Sequence, residues 1–155
     1  MEKARLMRRL RLKNFKCFED QTIPIAPLSV FCGKNGTGKS SAIQGLLLHH
    51  AAKECLMRGV RQLPLNAVPG LALGTLNDIV SKPTRRVTNR RADKIVIEFG
   101  SGRRNDVTVL ETLDIPEDAN YIYISSGPKG KTKRDPWQFV FLSAERIGPR
   151  ASQER

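Results

Sequence analysis

A chain of 155 residues is long enough to bury a hydrophobic core, and its three widely separated cysteines do not form a disulfide framework pattern. Lys and Arg outnumber Asp and Glu by 27 to 15, for a formal net charge of +12. This charge favours polyanionic partners, or alternatively marks one part of a larger protein whose other part is acidic. No apolar run approaches the roughly 20 residues of a membrane span, and no signal peptide is predicted. We therefore expect a reduced, cytoplasmic protein without membrane contact.

The first part of the chain predicts three short strands. Apolar and basic residues are mixed from Leu6 to Lys13. In the last part of this segment they alternate with a period of two residues, which favours a strand. A short second strand is expected at Gln21–Ile25, and it is closed by Pro24 and Pro27. Leu28–Cys32 is a compact apolar run of the kind that forms a buried strand, and it leads directly into Gly33.

The middle of the chain predicts helices and loops. From Ser41 to Met57 the pattern is helical, with Gly45 as the one weak helix former before Gly59. Residues 59–74 contain prolines and glycines and are expected to be mostly loop. Leu76–Val80 predicts a short helix capped by Thr75.

The last part predicts antiparallel strands separated by basic loops. The strand-like runs are Lys94–Phe99, Val107–Leu113, Tyr121–Ser125 and Trp137–Leu142. Residues 82–94 and 127–135 are strongly basic and are expected to be surface loops. Their cationic side chains suit sequence-independent contacts with nucleic-acid phosphates, and the alternative is that they are simply solvated.

One segment predicts a specific chemistry. Residues 33–40, Gly-Lys-Asn-Gly-Thr-Gly-Lys-Ser, match G-x-x-x-x-G-K-[ST] without a gap. Glycines permit left-handed backbone angles, so that the loop N–H groups can surround a phosphate at the start of the following helix. Lys39 can reach the β and γ phosphates, and the Ser40 hydroxyl is a ligand for Mg²⁺. The alternative is a glycine-rich turn without a ligand.

The motif thus predicts binding of ATP with Mg²⁺ as cofactors. The expected nucleotide-binding residues are Gly33, Lys34, Asn35, Gly36, Thr37, Gly38, Lys39, Ser40 and Ser41, with Ser40 as the Mg²⁺ ligand.

Three segments together resemble a known family. Leu10–Phe18, Leu28–Phe31 and Gly33–Ser41 are similar to the N-terminal lobe of ABC-type ATPases, and more narrowly to the RecF/SMC/OLD-like branch. Phe141–Arg150 is similar to a segment of AAA-type ATPases of that branch, some of which are found beside anti-phage defence genes. The resemblance implies an α/β fold, in which a P-loop NTPase strand–loop–helix unit joins an antiparallel β subdomain. It also implies that Lys16 lies near the nucleotide, whereas the alternative is a solvated surface lysine.

The resemblance further implies how ATP is hydrolysed. Members of that family hydrolyse ATP when two heads enclose the nucleotide, so the implied partners are a C-terminal half of the ATPase and a second head, as in a homodimer. The sequence lacks a Leu-Ser-Gly-Gly segment and an apolar run ending in Asp-Glu. Glu145 is the single carboxylate near a predicted strand end and is the candidate catalytic residue. We expect residues 1–155 to be one lobe of a longer ATPase. This lobe is expected to bind Mg-ATP but not to hydrolyse it by itself.

Two other functions remain open from the sequence. The first is a non-enzymatic nucleic-acid-binding or partner-binding module whose glycine-rich loop is a relic. The second is a self-contained kinase or GTPase, which is disfavoured because the sequence lacks an Asn-Lys-x-Asp motif and a second carboxylate motif for Mg²⁺.

Overall fold

The computed structural model describes residues 8–66, 72–81, 94–101, 105–112 and 114–127. Six strands form a single sheet in the order β2-β1-β4-β5-β6-β3, and every neighbouring pair is antiparallel. A long helix, α1, packs on one face of this sheet. In chain order the elements are β1 (Arg8–Phe15), β2 (Phe18–Ile25), α1 (Lys39–Met57), β3 (Gln62–Pro64), α2 (Leu76–Ile79), β4 (Lys94–Gly100), β5 (Asn105–Glu111) and β6 (Tyr121–Ser126).

Alternation along the strands determines which face of the sheet is covered. In β1, Leu10 and Leu12 are fully buried, whereas Arg9 and Lys13 are exposed. Buried and less buried residues also alternate in β3, β4 and β6, because a sheet covered on one side needs a single apolar face. The largest fully buried side chains are Phe15, Leu10, Leu12, Leu48, Leu63, Leu65, Leu76, Ile79, Ile95, Ile97 and Leu110.

The weak helix former Gly45 has a packing role. A Cβ atom at this position would lie 2.6 Å from Leu12 Cδ2, closer than side-chain atoms normally approach. Gly45 therefore lets α1 pack tightly against β1, which accounts for a glycine in the interior of a helix, where it costs about 1 kcal/mol relative to alanine.

Polar groups fix α1 on β5 within this otherwise apolar interface. His49 Nδ1 and Thr108 Oγ1 are 2.8 Å apart, and both residues are buried. One turn further along, Lys53 Nζ lies 3.7 Å from Asp106 Oδ2. His49 and Lys53 are four residues apart on one face of α1, and Thr108 and Asp106 are two residues apart on one face of β5. The two pairs therefore specify how α1 is aligned along β5.

Replacing Thr108 with Val tests the buried pair. We expect the free energy of unfolding to fall by about 1–3 kcal/mol, because the buried imidazole of His49 loses a hydrogen bond while the side-chain volume is kept. Urea unfolding measures this change. Thr22→Val, the same substitution at an exposed position of β2, should stay within about 0.5 kcal/mol of the wild type. Equal losses in the two variants would contradict the role of this pair.

Most elements predicted from the sequence are present. The antiparallel region, β1, β2 and α1 are confirmed, with strand bounds that differ by a few residues. The short helix α2 is also confirmed, and Thr75 caps it through a reciprocal capping box with Asp78. One strand was missed: residues 59–74 were expected to be mostly loop, yet Gln62–Pro64 pairs with β6.

The prediction of a buried strand at Leu28–Cys32 is wrong. Within the described part of the chain this segment pairs with no strand, and Leu28 and Val30 are 83% and 76% exposed. Phe31 alone packs against the core. A buried strand needs neighbouring strands, but the described strands all join the sheet that runs from β2 to β3. The predicted strand–loop–helix unit is therefore an irregular segment, a loop and a helix.

The basic loops are described only at their ends. Lys94 was assigned both to the end of the first basic loop and to the start of the predicted strand Lys94–Phe99, and it is the first residue of β4. Residues 82–93 and 128–135, the predicted strand Trp137–Leu142 and Glu145 lie outside the described residues. No helix within the described ranges is long and apolar enough to cross a membrane.

Candidate phosphate-binding site

The glycine-rich loop, residues 33–40, has the backbone geometry that its sequence predicts. Gly33, Gly36 and Gly38 have φ angles of 147°, 83° and 90°. Side chains are strongly disfavoured at such angles, which explains why glycine stands at each of these positions. Repeated positive φ angles let a short loop curve tightly enough for its N–H groups to converge.

The loop ends at a helix start that no side chain caps. Gly38 occupies the N-cap position of α1, no side-chain cap hydrogen bond is present, and the first turn contains no acidic residue. The first N–H groups of a helix carry a partial positive charge and lack intrahelical acceptors. This end of α1 is therefore suited to an anion.

Lys39, the first residue of α1, folds back over the loop. Its ammonium donates to the carbonyl oxygens of Gly33, at 2.7 Å, and of Lys34, at 2.5 Å. The Thr37 hydroxyl also donates to Lys34 O, at 3.0 Å. Within the described residues, the hydrogen-bond partners of the Lys39 ammonium are neutral carbonyl groups, so no carboxylate there neutralises its charge.

The turn between β1 and β2, residues 14–17, packs directly against the loop. A Cβ atom on Gly38 would lie 2.7 Å from Cys17 Sγ and 3.0 Å from Phe18 Cζ. This contact places the turn beside the last glycine of the loop. Sequence reasoning missed Cys17, because a contact between residues so far apart in the chain leaves no local pattern.

Backbone hydrogen bonds hold this turn in an unusual conformation. Asn14 and Lys16 have φ angles of 58° and 51°, in the left-handed region. Lys16 N donates to Ile79 O at 2.7 Å, and Ser81 N donates to Asn14 O at 3.1 Å. The Asn14 side chain adds a bond to Lys94 O at 2.9 Å. The turn is thus fixed from both sides by the end of α2 and the start of β4.

Lys16 reaches α1 from this turn. Its ammonium donates to Gln44 Oε1 at 2.8 Å, and the side chain is half-buried. Burial lowers the pKa of Lys16 from its ordinary value, and the negative charge of Asp78 partly opposes that shift. Gln44 is four residues beyond Ser40, so the two lie on the same face of α1. The structure therefore brings Lys16 to the helix face that also carries Ser40, and Gln44 was not foreseen from the sequence.

The remaining predicted residues are accessible to a ligand. Lys34, Asn35, Thr37 and Ser40 are exposed, and Ser41 is half-buried. Across the described residues, no group of three or more His, Cys, Asp or Glu side chains is arranged to hold a metal ion.

Comparison with known proteins agrees with this geometry. Residues 7–120 match the family model described as the AAA ATPase domain. The chain belongs to the AAA ATPase domain family. The matched range of this ATPase domain includes the glycine-rich loop, the turn at residues 14–17, α1 and most of the sheet.

A curated relative supports the narrower resemblance to the OLD-like branch. The ATPase domain is similar to a protein named OLD nuclease from Thermus scotoductus (strain ATCC 700910 / SA-01), with 39% identity over 41 residues. These residues are 26% of this chain and 8% of the relative, so the chain spans a small part of that protein's length. No solved structure matches the chain.

Proposed function

We propose that residues 33–41 bind the phosphates of ATP together with Mg²⁺, as the nucleotide-binding lobe of an ABC/SMC-like ATPase with a P-loop NTPase fold. The observation that carries the proposal is the loop geometry. Three glycines with positive φ angles lead into a helix start that has no side-chain cap, and Lys39 lies across the loop. Membership in the AAA ATPase domain family supports a nucleotide rather than another anion.

Each residue has a distinct part in this binding. The loop N–H groups and the first turn of α1 donate to phosphate oxygens. When the nucleotide binds, the Lys39 ammonium exchanges its hydrogen bonds to the carbonyl oxygens of Gly33 and Lys34 for contacts with the β and γ phosphates. The exposed Ser40 hydroxyl is available as a ligand for Mg²⁺, which neutralises phosphate charge when bound. The fit is chemical as well as geometric, because the loop offers donors and cations and no carboxylate that would repel a phosphate.

Hydrolysis needs groups beyond this loop. A carboxylate must orient the attacking water, and none stands among residues 33–41. In the proposed function a C-terminal half of a longer ATPase and a second head, in a homodimer, supply what is missing. Glu145 remains the candidate catalytic carboxylate within the chain. The exposed free thiols of Cys17 and Cys32 agree with a reducing, cytoplasmic compartment.

Lys39→Ala tests the binding proposal. Titration calorimetry with Mg-ATP should show saturable binding by the wild type, and the variant should lose affinity by roughly 100-fold or more, because it loses charge-assisted bonds to two phosphates. A phosphate-release assay on the wild type should show no turnover. Lys13→Ala removes an exposed lysine of β1 and should bind like the wild type. An absence of Mg-ATP binding by the wild type would refute the proposal.

A second candidate function rests on the net charge of +12. In this case the chain is a non-enzymatic module that contacts nucleic acid or a partner through basic residues, including those of 82–94 and 127–135. Such binding would weaken with salt and would be the same in the wild type and Lys39→Ala. The same pair of proteins therefore distinguishes the two functions.

A further inference from the structure

Asn14 anchors the turn at residues 14–17 through two different groups. Its backbone carbonyl accepts a hydrogen bond from Ser81 N at 3.1 Å, and its side-chain amide donates to Lys94 O at 2.9 Å. One residue therefore ties the turn both to the segment that follows α2 and to the start of β4. The isolated bridge between Phe15 and Val80 extends the first of these contacts. The position of the turn thus depends on Asn14.

The residue type at position 14 suits this double role. Its φ angle of 58° lies in the left-handed region, where Asn is tolerated better than most other residues that carry a side chain. Glycine would accept this angle but has no amide to donate to Lys94 O. Aspartate would also accept it, but offers a carboxylate where a donor is needed. Asn14 provides both the backbone angle and the hydrogen bond.

The anchored turn packs on the glycine-rich loop. A Cβ atom on Gly38 would lie 2.7 Å from Cys17 Sγ and 3.0 Å from Phe18 Cζ, so the turn and the last glycine of the loop are in close contact. Gly38 is also the N-cap of α1, where the N–H groups that are proposed to bind phosphate begin. A shift of the turn must therefore change either this contact or the curvature of the loop.

We propose that Asn14 is a positioning residue for nucleotide binding, which acts by holding Cys17 and Phe18 against Gly38. The inference rests on the proposed function and identifies a residue outside the glycine-rich loop that controls it. Asn14 does not contact the phosphates in this proposal. It keeps the turn docked on the loop, and only molecules with a docked turn bind Mg-ATP at full affinity. The dissociation constant then rises in inverse proportion to the docked fraction.

Two substitutions of Asn14 separate the backbone angle from the amide. Asn14→Gly keeps the left-handed angle and removes the bond to Lys94 O, so we expect the dissociation constant for Mg-ATP to rise about threefold. Asn14→Ala also disfavours the angle, and we expect a rise of about tenfold, because the turn is then docked in about one tenth of the molecules. Titration calorimetry measures both. Asn120→Ala, at an exposed position before β6, should bind like the wild type. Asn14→Gly decides alone if Asn14→Ala does not fold.

A double-mutant cycle tests the route by which Asn14 acts. Cys17→Ala removes the Sγ atom that packs on Gly38. In that background the effect of Asn14→Ala on the dissociation constant should fall from about tenfold to about threefold or less, because residues that act through one contact are not additive. An effect of the same size in both backgrounds would show that Asn14 does not act through this contact, and would overturn the inference.

Hydrogen exchange provides a readout that a purely structural role would not change. Coupling between two sites is reciprocal, so Mg-ATP must stabilise the docked turn if the docked turn favours Mg-ATP. Mg-ATP should therefore slow the exchange of the Ser81 amide, which donates to Asn14 O, by about threefold or more. The Leu65 amide, which donates to Asn120 O, should be unaffected.

The outcomes separate the inference from the proposed function. Wild-type binding with unchanged affinity in the Asn14 variants, or with no slowing at Ser81, would overturn the inference alone. Absence of Mg-ATP binding by the wild type would overturn the proposed function as well.

Discussion

Gly38→Ala is expected to weaken Mg-ATP binding by about 100-fold. A left-handed conformation costs a non-glycine residue about 1–2 kcal/mol, and Gly38 has a φ angle of 90°. The new Cβ would also lie 2.7 Å from Cys17 Sγ and 3.0 Å from Phe18 Cζ. The loop must then either move away from the turn or change its curvature, and both changes misplace the N–H groups. Titration calorimetry with Mg-ATP measures the loss.

Gly36→Ala provides the matched control for this result. Gly36 has a similar φ angle of 83°, but a Cβ there would meet no atom within 4 Å. It should therefore show the cost of the backbone angle alone, a loss of about tenfold. Cys17→Ala combined with Gly38→Ala should recover part of the affinity, because the smaller side chain relieves one contact. Equal losses for Gly36→Ala and Gly38→Ala would show that the contact between the turn and the loop has no effect on binding.

Phe15→Ala is expected to cause the largest loss of stability. Phe15 is fully buried at the end of β1 and pairs with Val80 through an isolated bridge. Truncation of a buried Phe typically lowers the free energy of unfolding by about 3–5 kcal/mol, from lost burial and from the cavity. That is a large part of the roughly 5–15 kcal/mol that stabilises a typical domain. Urea unfolding, analysed by linear extrapolation, would measure it.

An aromatic residue on the same sheet serves as the comparison. Tyr123 of β6 is 45% exposed and lies edge-on to Tyr121. Tyr123→Ala should lower the stability by about 1 kcal/mol, because nearly half of the residue is still in contact with water in the folded protein. A loss below about 1.5 kcal/mol for Phe15→Ala would mean that the end of β1 contributes less to the core than its burial indicates.

Local patterns in the sequence were enough to predict the loop, α1 and most strands. The glycine-rich motif is contiguous, so its curvature depends on residues that are adjacent in the chain. The capping box of α2 is equally local, since Thr75 and Asp78 are one turn apart. The alternation of apolar and polar residues in β1 and β4 is also local, so it predicts which face of the sheet is covered even when the partner strand is unknown.

Features that depend on tertiary contacts could not be predicted. Leu28–Cys32 has the composition of a buried strand, but composition cannot say whether neighbouring strands are present. The short strand β3 exists because β6 offers it a partner. The bond between His49 and Thr108 joins residues in different elements, and so does the contact of Lys16 with Gln44. The family resemblance placed Lys16 near the nucleotide, but it contained no information about Gln44.

The sheet order has a consequence for folding during synthesis. β1 lies between β2 and β4, and Leu12 of β1 pairs with Ile97 of β4. At a translation rate of about 5–20 residues per second, β4 leaves the ribosome roughly 4–17 s after β1. The hairpin of β1 and β2 can form early, but one edge of β1 must wait unpaired for its second partner. An unpaired strand edge is a site of aggregation. Because α1 precedes β4 in the chain and contacts β1, α1 can cover the apolar face of β1 before β4 pairs with its free edge.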